Sequence, residues 1–448
     1  MMDYSLMFAV IAGIALLLIL ILYFKIQAFL SLLIASIAVG LMAGMPALDI
    51  VDNIQKGMAN TLGYIAIVVG LGAMFGAILE TSGGVQSLAA YILDKTGEKR
   101  ASWALAVTGF LVSIPVFFDV GFVILVPIVY ALQKKTGKSL LYYGLPLLAG
   151  LAVTHAFIPP TPGPVAVASI LGADLGLVIA AGFIAGIPAT IVGGPLFAAY
   201  ISKRIHVETP SFFETKLSPS KLPSPGIILA LVALPLFLIL MNTYLDNPFG
   251  ANIPLSEGTK DIFKMLGHPF IALILANLLA WYLLGIKKGF SKKELLDIST
   301  GSLGTAGMII LVTGAGGVFK EILTETGTGK MLAEVMTQYG FSALFFAFLT
   351  AAAIRIMQGS ATVAMITAAG MTASFLEGYD YSDYHRALLV IAIASGASIL
   401  SHVNDSGFWL VSKYFGLTEK QTLRSWTVVT TLIAITGFLM VLLMSALI

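Results

Sequence analysis

The stretch HAFIPPTPGP, residues 155–164, decides the fold, because it sets four prolines inside a long apolar run. Proline has no backbone N–H and clashes with the preceding helical turn, so we expect a helix to break here. Irregular backbone at membrane depth is tolerated only where it is packed in protein or lines a wet cavity. A second break, SHVNDSGFW at 401–409, stands in the corresponding place of the second half when Gly163 is laid on Gly407. Paired breaks of this kind indicate a transporter binding site.

The composition indicates an integral membrane protein. Of the 448 residues, 58% are hydrophobic and 11% are charged, which leaves too little polar surface to cover a soluble domain. The net charge of +2 gives no indication of a nucleic-acid partner, and without cysteine no disulfide or thiolate metal site is expected. Because the N-terminal MMDYS lacks the basic region of a signal peptide, we expect residues 5–22 to remain as a first span.

Apolar runs predict ten full membrane crossings. They lie at residues 5–22, 26–44, 58–80, 140–171, 176–201, 226–245, 267–285, 299–323, 386–415 and 425–448. Two further apolar segments, 102–133 and 341–376, are interrupted by PVFFDVGFV (115–123) and RIMQGSATVAM (355–365), which predicts two re-entrant hairpins. Polar or amphipathic segments are predicted at 46–57, 83–100, 202–225 and 325–339.

The positions of lysine and arginine orient this map, because cytoplasmic loops carry an excess of them. Most of the 25 basic residues fall in loops on one side, which places that side in the cytoplasm and both termini outside. The first hairpin then enters from the cytoplasm and the second from outside. Residues 1–201 and 226–448 therefore predict two inverted repeats, joined by a cytoplasmic linker at 202–225. The expected fold is an all-α polytopic membrane protein with a re-entrant hairpin and a broken helix in each repeat.

Two carboxylates lie at the predicted interruptions, Asp119 in the first hairpin tip and Asp405 in the second break. An acid inside the membrane is costly unless it is paired, protonated or wet, so such residues are functional candidates. Either acid is a candidate for a coupling proton, as is His155 at the start of the first break, because imidazole titrates near neutral pH. The structural alternative is that the acids cap half-helices and that His155, like His402, bonds a freed carbonyl.

Neutral polar groups at the interruptions match the donors and acceptors of a polyol. They are Thr161, Ser360, Thr362 and Asn404, and their alternative role is to satisfy broken helix ends. At the second hairpin tip, Gly359 and Ser360 present half-helix N–H groups, which attract an anion such as a carboxylate. Arg355, inside the second hairpin, pairs either with Asp405 or with the substrate carboxylate, or else it snorkels or ties the hairpin to its neighbour.

Four stretches together resemble the signatures of the gluconate permease family, the gluconate–proton symporters. They are PVFFDVGFV, THAFIPPTPGP, RIMQGSATVA and SHVNDSGFW, and the resemblance covers nearly the whole chain. It implies the ion-transporter superfamily fold, a homodimer, and elevator motion of a transport domain (101–201 and 341–448) against a scaffold (1–100 and 226–340). It also implies small hydroxylated carboxylates as substrates: gluconate, related sugar acids, glycerate or, in one branch, D-serine.

The predicted substrate site draws on both hairpins and both breaks. Its members are Asp119, Gly121, His155, Thr161, Gly163, Gly359, Ser360, Thr362, Asn404, Asp405 and Ser406. No cofactor and no metal site are predicted.

Two classes of function follow from these features. The first is proton-coupled uptake of gluconate or a related anion across a bacterial inner membrane. The second is an ion channel, an ion exchanger or a sodium-coupled anion transporter, since unwound carbonyls can coordinate sodium. The Thr, Ser and Asn groups favour an organic solute. The chain has no HExxH or GxSxG motif, so an intramembrane hydrolase is not expected.

Overall fold

A computed structural model describes residues 4–210, 222–246, 256–327, 342–376 and 381–447 of the chain. Throughout these ranges the regular secondary structure is helical, and no strand occurs in them. Most of the predicted amphipathic stretch at 325–339 and much of the predicted linker lie outside the described residues.

The described part of the first half forms ten α-helices. They are α1 (Tyr4–Leu22), α2 (Ala28–Met42), α3 (Ala47–Thr81), α4 (Gly84–Thr96), α5 (Ala101–Val112), α6 (Phe118–Thr136), α7 (Leu140–Phe157), α8 (Pro162–Leu171), α9 (Leu175–Ile191) and α10 (Phe197–Ile201). A π-helical turn, Val192–Leu196, joins α9 to α10.

The described part of the second half follows a similar order. Its helices are α11 (Pro225–Asp246), α12 (Glu257–Gly267), α13 (Pro269–Ala280), α14 (Lys292–Glu325), α15 (Ala343–Gln358), α16 (Ala361–Leu376), α17 (Asp383–Ser398), α18 (Ser406–Phe415) and α19 (Glu419–Leu447). Each half therefore contains a long helix (α3, α14), a pair joined at a tip (α5–α6, α15–α16) and a broken helix (α7–α8, α17–α18).

Seven helical segments of the described chain are long and apolar enough to cross a membrane. They are Ala47–Thr81, Leu140–Leu171, Leu175–Ile201, Pro225–Asp246, Pro269–Lys288, Lys292–Glu325 and Glu419–Leu447. The other predicted crossings correspond to the shorter apolar helices α1 and α2 and to the broken pair α17–α18. The prediction of an all-α, multi-span protein is confirmed.

The first break is shorter than the prolines of 155–164 suggest. Helix α7 ends at Phe157, and α8 begins at Pro162, so Pro162 and Pro164 lie inside its first turn rather than in the break. This is physically consistent, because the first N–H groups of a helix have no intrahelical acceptor and proline there removes nothing. The break itself spans residues 158–161.

The predicted polar loop at 46–57 is wrong, because Ala47 already begins α3. Its polar side chains belong to a helix that extends beyond the apolar part of the span. This end packs against α14. Lys56 Nζ lies 2.6 Å from a carboxylate oxygen of Glu321. The two backbones also approach closely at Gly57, where an added Cβ would lie 2.8 Å from the carbonyl oxygen of Gly317. Such close backbone approach is typical of small residues between membrane helices.

The carbonyl end of α8 is satisfied by two basic side chains from the second half of the chain. Lys320, which lies within α14, donates from Nζ to Ile170 O at 3.0 Å. Arg386, in α17, donates from Nη1 to Leu171 O at 3.1 Å. Cations at a helix C-terminus are favourable because the last carbonyls carry partial negative charge.

Four tyrosine side chains pair with basic side chains near helix ends. The cation–π pairs are Lys95 with Tyr91, Lys138 with Tyr142, Arg204 with Tyr200 and Lys287 with Tyr282. All four lie beside loops that the charge pattern assigns to the cytoplasm. Tyrosine, lysine and arginine are typical residues of a membrane–water interface.

Candidate functional site

A cavity of about 820 Å³ lies where the two tips and the two broken helices approach one another. The end of α3 and the beginning of α14 complete its wall through Glu80, Thr81, Asp297 and Gly301. Its size falls within the range of small-molecule pockets. The local breaks explain its position, because each interrupted helix leaves unpaired backbone groups that need a polar surround.

The second break carries the most completely bonded acid of the site. Asp405 is the N-cap of α18, and its Oδ1 accepts a hydrogen bond from Gly407 N at 3.1 Å. Its Oδ2 accepts from Arg355 Nη2 at 2.5 Å and from the Ser401 hydroxyl. In the structure, Asp405 therefore caps a half-helix, and Arg355 is its counter-ion.

Arg355 carries unused hydrogen-bonding capacity. Its side chain is 5% exposed, and Nε and Nη1 are buried without a partner in the described structure. A guanidinium offers five donors, and an unmade bond in a buried site costs free energy. Arg355 also contributes to the cavity wall, so its charge acts on whatever occupies the cavity.

The first tip presents Asp119 to the cavity. Asp119 lies in the first turn of α6, where the helix dipole favours a negative charge, and its side chain is exposed. In the same tip, Phe117 packs edge-on against the His155 ring with centroids 6.0 Å apart. The imidazole Nδ1 is buried without a hydrogen-bond partner in the described structure.

The second tip is built against the second break. Gly359 has φ +87°, and a Cβ there would lie 2.2 Å from Asn404 O, so no larger residue fits without displacement. The Asn404 amide donates to Ile356 O at 3.0 Å, which satisfies part of the end of α15. Ser360 caps α16 by accepting from Val363 N at 3.3 Å. The N-terminus of α16 therefore faces the cavity beside Arg355.

The sequence profile of the family described as GntP family permease matches residues 4–448. The chain belongs to the GntP permease family. The resemblance noted in the four stretches is thereby confirmed, and the protein is a membrane transporter rather than an enzyme.

Relatives of this GntP permease match it along almost their whole length. It is 37% identical to the gluconate permease of Pseudomonas aeruginosa over 433 residues, which cover 96% of this chain and 95% of that protein. It is 38% identical to the Gnt-II system L-idonate transporter of Escherichia coli K12, with 97% and 98% covered. Among solved structures, the Alcanivorax borkumensis YdaH transporter superposes with a TM-score of 0.66 at 14% identity, covering 93% of this chain and 97% of that one. That likeness concerns the fold.

Most of the predicted site residues of the permease meet in the cavity. Its wall includes Asp119, His155, Gly359, Ser360, Thr362, Asn404, Asp405 and Ser406. The other three lie beside it. The Thr161 hydroxyl donates to Ile158 O at 2.6 Å, and added Cβ atoms on Gly121 and Gly163 would lie 2.9 Å from Leu151 and 3.0 Å from Met365. These three therefore shape the elements that carry the cavity.

The sequence analysis missed several polar residues of the cavity wall. Glu80 and Asp297 come from helices that carry no break, and Ser302, Trp426 and Thr430 were not singled out. An acid near the end of a span, such as Glu80, is a weak signal that could have been noted. Across the described residues, no three His, Asp or Glu side chains form a group able to hold a metal ion.

Proposed function

We propose that this permease is a secondary active transporter that takes up gluconate, or a closely related small hydroxylated carboxylate, together with a proton. The central cavity carries this proposal, because it joins an anion-attracting helix end, hydroxyl and amide groups and an exposed acid. The names of the relatives support the substrate class, since one is a gluconate permease and another an L-idonate transporter.

The carboxylate of the substrate docks at the N-terminus of α16 in this proposal. The first turn of that helix offers N–H groups that have no intrahelical acceptor, and Arg355 lies in the same wall. Because Asp405 already neutralises much of the Arg355 charge, the helix end and the unpartnered guanidinium nitrogens act together on the anion. The Thr362 hydroxyl and Ser360 hydroxyl then face the hydroxylated chain of the substrate.

Asp119 is the proposed proton carrier. Asp405 is engaged by Arg355, Ser401 and a backbone N–H, whereas Asp119 is exposed to the cavity. A negative substrate and a negative Asp119 repel each other inside one cavity. The substrate therefore binds more tightly when Asp119 is protonated, and Asp119 takes up a proton more readily when the substrate is bound. Linkage requires this effect to be mutual, which couples proton binding to anion binding.

The architecture proposed for this transport is the inverted repeat of the sequence analysis. The transport domain comprises 101–201 and 341–448, the scaffold comprises 1–100 and 226–340, and the protein forms a homodimer in the inner membrane with both termini outside. Glu80 and Asp297 lie at the helix ends next to predicted cytoplasmic loops, and the cavity includes both. In this proposal, the two acids on the cytoplasmic side favour an inward-facing state of an elevator cycle.

A binding panel tests the substrate class. Isothermal titration of the purified permease with gluconate, L-idonate, glycerate and D-serine should give saturable binding of a sugar acid. The sodium-coupled alternative predicts that binding appears only when sodium is added. If none of the four compounds binds with or without sodium, the proposed substrate class is wrong.

A further inference from the structure

Ser401, in the second break, is held through each of its polar groups. Its N–H donates to Thr430 Oγ1 at 3.1 Å, and its carbonyl accepts from the Thr427 hydroxyl. Its hydroxyl accepts from Trp426 Nε1 at 2.8 Å and donates to Asp405. Three residues of α19 therefore replace the helical bonds that the break has lost. The Ser401 hydroxyl that they hold in place orients the Asp405 carboxylate.

Trp426 makes a second contact, with the first tip. Its indole stacks on the Phe118 ring with centroids 5.6 Å apart and an interplanar angle of 23°. Phe118 begins α6 and immediately precedes Asp119, so this contact reaches the first tip. Trp426 is 3% exposed, and a buried indole N–H needs a partner, which here is a hydroxyl that itself serves Asp405.

We propose that Trp426 is a positioning residue that fixes the tip carrying Asp119 relative to the Asp405–Arg355 pair. One face of the indole contacts Phe118, which precedes Asp119. The indole N–H donates to the Ser401 hydroxyl, which in turn donates to Asp405. A carboxylate that draws Arg355 toward the cavity displaces Asp405 and Ser401, and the indole transmits this displacement to Phe118. The proposal rests on the proposed function for its role in transport, but the structural connection is testable without substrate.

A distance measurement tests the connection directly. The chain has no cysteine, so spin labels can be placed at Val120→Cys on the first tip and Val403→Cys in the second break without other changes. Continuous-wave EPR of the reconstituted, ligand-free protein should show a dipolar interaction between the two labels. In Trp426→Leu the distance between the labels is less fixed, so the dipolar line shape should change. Trp281→Leu, a tryptophan in the turn after α13, is the matched control and should leave the spectrum unchanged. An unchanged spectrum in Trp426→Leu overturns the proposal. If the leucine variant does not fold, the same measurement is made on Trp426→Phe, and an unchanged spectrum there overturns the proposal.

Binding measurements separate positioning from a merely structural role. Trp426→Phe keeps a ring against Phe118 but removes the N–H donor, and should raise the Kd for gluconate about fivefold to tenfold. Since Trp426 acts through Ser401, the double variant with Ser401→Ala should bind no more weakly than Ser401→Ala alone. An unchanged Kd in Trp426→Phe, even with a lower melting temperature, or additive losses in the double variant, contradicts the proposal. If the wild type binds no sugar acid, the proposed function fails, and the EPR result still decides the role of Trp426.

Discussion

Replacing Asp119 by asparagine removes one negative charge from the cavity and keeps the shape of the side chain. A cavity of about 820 Å³ is about 12 Å across if it is taken as a sphere, so a bound carboxylate lies within about 10 Å of Asp119. Two unit charges about 10 Å apart repel by about 1.7 kcal/mol at an effective dielectric constant of about 20. This corresponds to about a 15-fold change in Kd, at about 1.4 kcal/mol per decade.

Asp119→Asn should therefore bind gluconate about 15-fold more tightly than the wild type at alkaline pH, where the wild-type acid is ionised. Lowering the pH should bring the wild type toward the variant, because a protonated Asp119 and an asparagine are both neutral. The variant should exchange labelled gluconate across proteoliposomes but should not accumulate it against a gradient. Isothermal titration at several pH values and counterflow assays measure these two effects.

The matched control is Asp94→Asn, since Asp94 is an exposed residue of α4 outside the cavity wall. It should leave both affinity and accumulation unchanged. The reasoning is refuted if Asp119→Asn still accumulates gluconate when a pH gradient is imposed. It is also refuted if the Kd of the variant depends on pH as strongly as that of the wild type.

Further variants test the ion pair, the cavity wall and the topology. Arg355→Met leaves Asp405 without a counter-ion and should cost about 3–5 kcal/mol of stability, so an unchanged melting temperature would count against the buried pair. Thr362→Val should weaken gluconate binding about tenfold or more, whereas Thr161→Val should lower the melting temperature with little change in Kd; equal losses of affinity would place both hydroxyls in the site. Lys135→Cys should react with an impermeant thiol reagent only from the cytoplasm and Asp261→Cys only from outside, and the reverse pattern excludes the proposed orientation.

The interruptions were predictable because their causes are local. Proline cannot continue a helix, so the break after Phe157 is readable from a few residues, and a glycine with positive φ marks the tip at Gly359. Composition was misleading at 46–57, because a polar helix that extends beyond an apolar span contains the same residue types as a loop. Its helical state depends on packing against α14, which lies far away in the chain.

Side-chain direction and distant neighbours account for what the sequence left unpredicted in the site. Thr161 lies in the break, as expected, yet its hydroxyl turns to Ile158 O instead of the main cavity. Glu80 and Asp297 enter the cavity wall because α3 and α14 pack together, a contact that no local pattern encodes. The pairing of Arg355 with Asp405 was one of several open alternatives, and only the packing of the second tip against the second break selects it.

Uptake of labelled gluconate by proteoliposomes tests the central claim most directly. The account predicts that the permease accumulates gluconate above the external concentration when the external medium is the more acidic, without added sodium. Collapsing the pH gradient with a protonophore should reduce uptake to equilibration. Equal accumulation with and without the pH gradient, or accumulation that requires sodium alone, would contradict the account.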